Sequence, residues 1–250
     1  MEDFNGLHCF YTNADSLPNK FDELKARVQN TTEKYDIIGV TEVYTKNCRY
    51  SPGKAELQLL GYELFCNESG ENKRGIALYI RNELKAEELT IEGNAKESIW
   101  IKIKLNEKDR MIIGCMYKSP SSEVSNLKSL NEMIMQATKT KEFSHQLTMG
   151  DFNFPKVNWK TWSSNGDKDG ENFMECIRNS YLYQHTVEFT RTRGNCEPST
   201  LDLIFTNEED MIEDLNYDSP FGRSEHCVLD FKFRCYCKTD EEKNTEMEIL

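Results

Sequence analysis

The chain has 250 residues, and its length suits one α/β or all-β domain with a sizeable core. Its nine cysteines include no Cys-x-x-Cys pair, which argues against a disulfide scaffold or a zinc site, and no apolar run is long enough to span a bilayer. The formal net charge of −12 argues against non-specific coating of nucleic acid, although a bound metal ion can give an acidic protein a local grip on phosphate.

Short apolar and alternating segments in the first half of the chain predict strands over 6–11, 35–40, 75–80, 98–105 and 111–117. A helix is predicted over 19–28, where Phe21, Leu24 and Val28 have helical spacing, and 44–54 is a polar loop.

The second half predicts a helix over 121–138 with Ser121 as its cap, a helix over 171–181, and strands over 146–150, 184–190, 201–206 and 227–235. Strands outnumber helices and short turns link many of them, so we expect two packed sheets with helices outside. Residues 1–238 form the predicted domain. The segment 239–250 has five acidic residues and one lysine, and we expect a mobile tail.

The run from Met149 to Asn153 is the most informative local motif. Asp151 and Asn153 follow an apolar strand and would project side by side, as a carboxylate and an amide do around one phosphate, although the same residues also occur in ordinary turns. Other polar side chains also follow predicted strands: Asn13, Asp15, Glu42, Tyr117 and His226. If these strand ends meet at one rim, the group can hold a cation, orient a phosphate and activate a water.

Asp202 is flanked by Leu201 and Leu203, so its carboxylate is predicted to be buried and to need a partner. A histidine is the natural partner, because the carboxylate fixes its tautomer and raises its basicity. For the other candidates, turn formation, solvation or packing remains the alternative interpretation.

The order Asn13, Glu42, Tyr117, Gly150–Asn153, Asp202 and Ser224–His226 resembles the endonuclease/exonuclease/phosphatase superfamily, which includes exonuclease III and deoxyribonuclease. Four longer runs are similar to the apurinic-like endonuclease domain of non-LTR (LINE-type) retrotransposons: 11–20, 36–42, 75–79 and 199–206. The resemblance extends from about residue 6 to residue 235.

The resemblance implies a four-layer α/β sandwich, in which two packed mixed β-sheets are flanked by helices. It also implies a monomeric, Mg²⁺-dependent endonuclease, with Mn²⁺ as a substitute, that nicks DNA to leave a 3′-hydroxyl and a 5′-phosphate. In a retrotransposon this nick primes reverse transcription in the nucleus, and a reverse transcriptase domain belongs to the full-length element. An excised domain and a stand-alone gene both remain open, and no membrane association is expected.

By position, the resemblance makes Glu42 the main metal ligand, with Asp15, Asn13 and Glu225 beside it. Tyr117 and Asn153 would hold the scissile phosphate, and Asp202 would orient His226. Either Asp151 or His226 would take the proton of the attacking water. The residues expected to contact DNA are Thr190, Arg191, Arg193, Lys118 and Ser224.

Two positions depart from the family pattern. Glu225 precedes the last histidine where the family has aspartate, and Lys118-Ser119-Pro120 stands where Arg-Pro-Pro is common. Two alternatives therefore accompany the endonuclease hypothesis: a same-fold phosphodiesterase or phosphatase acting on a smaller phosphate ester, and a domesticated DNA-binding module with weakened catalysis.

Overall fold

The computed structural model describes residues 6–45, 53–67, 74–93, 95, 97–105 and 109–235. The strands of this part of the chain are β1 (Leu7–Asn13), β2 (Ile37–Thr41), β3 (Tyr62–Cys66), β4 (Ile76–Arg81), β5 (Glu87–Glu88), β6 (Ser98–Lys104), β7 (Arg110–Tyr117), β8 (His145–Asp151), β9 (Val157–Asn158), β10 (Ser163–Ser164), β11 (Tyr183–Gln184), β12 (Asp202–Thr206), β13 (Ile212–Asp218) and β14 (Val228–Phe233). The helices are α1 (Phe21–Asn30), α2 (Val124–Lys139) and α3 (Lys168–Asn179), and short 3₁₀ turns lie at Pro18–Lys20, Lys54–Leu57, Asn82–Leu84 and Glu209–Met211.

Two six-stranded sheets form the centre of the molecule. Their strand orders are β13-β14-β1-β2-β4-β3 and β11-β12-β8-β7-β6-β5. Apolar side chains such as Leu78, Ile113 and Met149 fill the space between the sheets. On the outer faces, α1 packs on the first sheet, while α2 and α3 pack on the second. The prediction of a four-layer α/β sandwich is therefore confirmed.

The strand directions bring the polar strand ends to one edge. Each sheet contains one parallel pair, β1 with β2 and β7 with β8, so these four strands end on the same side. β12 and β14 run antiparallel to their neighbours and begin at that side, with Asp202 opposite Asp151. Gly150 allows the close approach of β7 and β8, since an added Cβ would lie 2.0 Å from the carbonyl oxygen of Met116.

Most predicted elements are present with shifts of a few residues, but three expectations differ from the structure. The strand predicted over 184–190 is wrong for most of its length, because only Tyr183–Gln184 is regular there. Ser121 does not cap α2, which begins at Val124 after Glu123. β3 and β13 were not predicted; β13 is a partly exposed edge strand whose polar side chains give no alternating signal.

The predicted tail 239–250 and most of the predicted polar loop 44–54 fall outside the described residues. Within the described ranges, no helix combines the length and apolar character required to cross a membrane.

Candidate active site

One cavity of about 860 Å³ opens at the edge where the strand ends meet. The predicted site residues that line it are Asn13, Asp15, Glu42, Tyr117, Asp151, Asn153, Arg191, Arg193, Glu225 and His226. Asp202 is fully buried next to His226. The structure thus brings residues from distant parts of the sequence into one polar pocket.

Three of these residues have an unusual backbone conformation just after a strand. Asp15, Glu42 and Asn153 have φ values of 39°, 50° and 49°, in the left-handed region that non-glycine residues seldom adopt. Such backbone geometry is costly and is concentrated at functional sites, where the surrounding structure maintains it. Here it occurs one or two residues after the ends of β1, β2 and β8.

Asp202 and His226 form a buried acid–histidine pair. Oδ2 of Asp202 lies 2.7 Å from Nδ1 of His226, and the hydroxyl of Tyr11 donates to Oδ1 at 3.2 Å. Burial alone would lower the pKa of His226, but the charge and hydrogen bond of Asp202 raise it to about 9. The pair fixes the ring and leaves Nε2 for the pocket, which is the arrangement a positioned acid or base requires.

Asp151 is buried, and both of its carboxylate oxygens accept hydrogen bonds. Its Oδ2 accepts a hydrogen bond from Nδ2 of Asn13 at 2.8 Å, and its Oδ1 accepts the backbone N–H of Asn153 at 3.1 Å. Burial first, and then the nearby charge of Asp202, raise the pKa of Asp151 to about 8. A carboxylate in this position takes a proton more readily than an ordinary aspartate.

Glu42 and Asp15 form the oxygen-rich part of the pocket. The hydroxyl of Tyr117 donates to Oε1 of Glu42 at 2.8 Å. One nitrogen, Nη2 of Arg74, lies 2.5 Å from Oε2 of Glu42 and 2.7 Å from Oδ1 of Asp15. Two carboxylates that already converge on a cationic nitrogen fit a hard divalent ion such as Mg²⁺, and Asn13 is adjacent, with its Oδ1 accepting the N–H of Asp15.

A second group can also hold a metal ion. Asp151, Asp202 and His226 offer ligand atoms that all lie within 4.8 Å of one another. However, the facing atoms of Asp202 and His226 are already hydrogen-bonded to each other, and both residues are buried. This group is therefore better suited to holding protons, and the Glu42–Asp15 pair is the better cation site.

Glu225 was predicted as a metal ligand, but its carboxylate pairs with two arginines. Arg191 contacts Oε2 at 2.8 Å and Arg193 contacts Oε1 at 3.0 Å. The backbone N–H of Thr192 also donates to the carbonyl of Glu225. Glu225 thus holds the segment that begins at Arg191 against the edge where the strand ends meet.

Three residues that we expected to contact DNA are buried and contact neighbouring groups. The ammonium of Lys118 lies over the ring of Phe154, 4.6 Å from its centre. The hydroxyl of Thr190 accepts the backbone N–H of Asp202, and that of Ser224 donates to the carbonyl of Asn13. The other two residues of this group, Arg191 and Arg193, line the pocket, as does Arg74.

Sequence reasoning missed Arg74 and Glu97. Oε1 of Glu97 accepts the backbone N–H groups of Arg74 and Gly75 at 2.8 and 2.6 Å. The available signals for Arg74 and Glu97 were weak: an arginine beside the Gly75 motif, and an acid directly before the alternating segment of β6.

Asn153, predicted to hold phosphate, donates its amide to the carbonyl of Lys118 at 2.8 Å.

Comparison with known families and structures agrees with this geometry. Residues 111–229 match the family model described as endonuclease-reverse transcriptase. The resemblance to retrotransposon endonucleases is confirmed. No curated protein matches this chain in sequence.

Solved structures with low sequence identity share the fold. The endonuclease domain of TRAS1, a telomere-specific non-LTR retrotransposon, is 16% identical, with a TM-score of 0.65 over 92% of this chain and 99% of that one. The 3′ phosphatase NExo from Neisseria bound to a product DNA hairpin is 12% identical (TM-score 0.66; 92% and 100% covered). The AP endonuclease LMAP from Leishmania major is 14% identical (TM-score 0.68; 92% and 88% covered). The chain therefore shares its fold with these three structures.

Proposed function

We propose that the chain is a divalent-metal-dependent DNA endonuclease that hydrolyses a phosphodiester and leaves a 3′-hydroxyl and a 5′-phosphate. The observation that carries this proposal is the juxtaposition of two groups in one pocket. The Asp202–His226 pair and Asp151 can hold and move protons, while Glu42 and Asp15 can bind a cation beside them.

Glu42 and Asp15 would hold Mg²⁺ or Mn²⁺, which when bound would neutralise charge on the phosphate. His226, whose pKa is raised to about 9, carries a proton at neutral pH and can donate a hydrogen bond to a phosphate oxygen. Asp151 in its ionised form accepts the proton of the attacking water. Water oxygen then bonds to phosphorus, the bond from phosphorus to the 3′-oxygen breaks, and that oxygen takes up a proton.

Several features support DNA as the substrate. Arg191 and Arg193 give the pocket local positive charge within an acidic chain. The similar structures named above include a retrotransposon endonuclease domain and a phosphatase bound to DNA. We infer a monomer that acts on nuclear DNA, next to a reverse transcriptase domain where the full-length element contains one.

A second candidate is a phosphodiesterase or phosphatase acting on a smaller ester. The cavity of about 860 Å³ favours it, because this volume lies within the range of pockets that enclose small ligands. The protonic and cation-binding groups would serve both reactions. Only the substrate would differ.

The test is incubation with supercoiled plasmid in Mg²⁺ or in EDTA, with Asp151→Asn as the inactive control. We expect Mg²⁺-dependent conversion to the nicked circle, and resealing of the nick by a DNA ligase, which requires the proposed ends. Cleavage that continues unchanged in EDTA would contradict the proposal. Faster hydrolysis of bis(p-nitrophenyl) phosphate than of plasmid would favour the smaller ester.

A further inference from the structure

Arg74 occupies the place between the two carboxylates of the proposed metal site. Its Nη2 contacts Glu42 at 2.5 Å and Asp15 at 2.7 Å. The side chains of Arg74 and Glu42 are only 16% and 13% exposed, whereas that of Asp15 is 58% exposed. The contact with Glu42 is therefore the better shielded of the two, and solvent screens the contact with Asp15 more strongly.

The position of Arg74 is built by its surroundings. Glu97 accepts two consecutive backbone N–H groups at this point, and Nε of Arg74 donates to the carbonyl of Tyr44 at 2.8 Å. Gly75 has a φ of 75°, and an added Cβ there would lie 2.6 Å from the ring of Tyr44. The main chain is therefore fixed, and the end of the guanidinium is the part that can exchange partners.

A divalent ion and Nη2 cannot occupy the same space between these oxygens. Metal binding must move the guanidinium away, because both are cations and both need the same lone pairs. Once displaced, the guanidinium remains in a pocket where the incoming anion is a DNA phosphate, the group that arginine binds well.

We propose that Arg74 is an exchangeable counter-ion. It holds Glu42 and Asp15 together in the metal-free protein, gives way to the divalent ion, and is then taken up by DNA phosphate. This inference rests on the proposed function, since it takes the Glu42–Asp15 pair to be the metal site. It follows that Arg74 weakens metal binding to the free protein and that DNA removes part of this competition, so the two ligands bind cooperatively.

The experiment measures metal affinity directly. Mn²⁺ is titrated into wild type, Arg74→Gln, Arg74→Lys and Arg193→Gln, and free Mn²⁺ is followed by its electron paramagnetic resonance signal. Without DNA, Arg74→Gln should bind Mn²⁺ about tenfold more tightly than wild type, which corresponds to about 1.4 kcal/mol. Arg74→Lys keeps a cation and should stay within about threefold of wild type.

Arg193→Gln is the matched control. It removes the same charge from the same pocket, but Arg193 pairs with Glu225 and not with the proposed metal ligands. If Arg193→Gln tightens Mn²⁺ binding as much as Arg74→Gln does, the effect is one of general charge and the exchange is refuted. Melting curves of the metal-free proteins establish that every variant is folded.

DNA provides the second arm. A duplex with non-hydrolysable phosphorothioate linkages should tighten Mn²⁺ binding to wild type by a larger factor than to Arg74→Gln. Equal factors would overturn the inference even if plasmid is nicked normally. Conversely, cation exchange without any nicking would leave the inference in place and refute the proposed endonuclease.

Discussion

Replacement of Asp202 by asparagine should separate chemistry from stability. Asp202 raises the pKa of His226 to about 9 against burial, which alone would lower it from 6.5. This difference corresponds to about 3 kcal/mol of folding free energy, because one pKa unit is about 1.4 kcal/mol. Since the folded-state pKa is the raised one, this contribution is complete below pH 6.5 and is lost as the pH rises through about 9.

In Asp202→Asn the pKa of His226 should fall, because burial remains while the largest charge that raises it is gone, although Asp151 and Glu42 still raise it to a smaller extent. A larger share of the imidazole would then be neutral at pH 7, and the ring would no longer be oriented. We expect the nicking rate to fall by about 10²–10⁴, with DNA affinity nearly unchanged. Histidine NMR titration, urea unfolding at pH 6 and pH 9, and single-turnover nicking measure the three effects.

A second histidine–aspartate pair provides the control. Nε2 of His8 lies 2.8 Å from Oδ1 of Asp230, which is a similar contact on β1 and β14, away from the pocket. Asp230→Asn should lower the free energy of unfolding but leave nicking at the parental rate. The reasoning is refuted if Asp202→Asn nicks like the parent, or if the pKa of His226 stays near 9 in that variant.

Three further changes test other parts of the site. Tyr117→Phe removes the hydrogen bond to Glu42, and we expect about 10- to 100-fold slower nicking, measured across Mg²⁺ concentrations; full activity would exclude a role for the hydroxyl. Glu225→Gln weakens the pairing with Arg191 and should tighten DNA binding severalfold at low salt, measured by fluorescence anisotropy; unchanged affinity would contradict our view of Glu225. Gly150→Ala should lower the free energy of unfolding by about 3 kcal/mol, seen in urea denaturation, because its Cβ would overlap a main-chain oxygen; parental stability would show that the strands can separate.

The sequence predicted the sandwich because its central strands carry clear signals. β1 and β2 are buried along their whole length, β8 is buried after His145, and the side chains of β6 point alternately to the two faces of its sheet. β13 lies at an edge with polar, partly exposed side chains, so neither burial nor alternation marks it. Helix starts were less predictable, since α1, α2 and α3 all begin without a side-chain cap hydrogen bond that would mark the first turn.

The sequence predicted which residues form the site better than it predicted the contacts between them. Asp202 could be paired with His226 because a buried acid requires a partner. Thr190 and Lys118 were placed on DNA by their positions, yet both are buried, since burial depends on neighbours from distant segments. Arg74 had only a weak local signal beside Gly75, because its contact with Glu42 exists only after β2 and β4 have paired.

The hydrogen bonds of the site also join the two sheets. Asn13 on the first sheet bonds Asp151 on the second, and Tyr11 similarly donates to Asp202. We therefore expect the nicking rate to depend more on how the two sheets pack together than on the overall free energy of unfolding.

Two cavity-making variants of comparable cost separate these effects. Met149 lies between the sheets near Tyr11, whereas Ile134 belongs to α2 and packs against the outer face of the second sheet. Both Met149→Ala and Ile134→Ala should destabilise by about 2–5 kcal/mol in urea unfolding. Only Met149→Ala should slow nicking under conditions where both variants are fully folded, because a cavity between the sheets lets them shift, and a misplacement of about 1 Å costs about a hundredfold in rate. Equal nicking by the two variants would show that the edge keeps its geometry independently of the core.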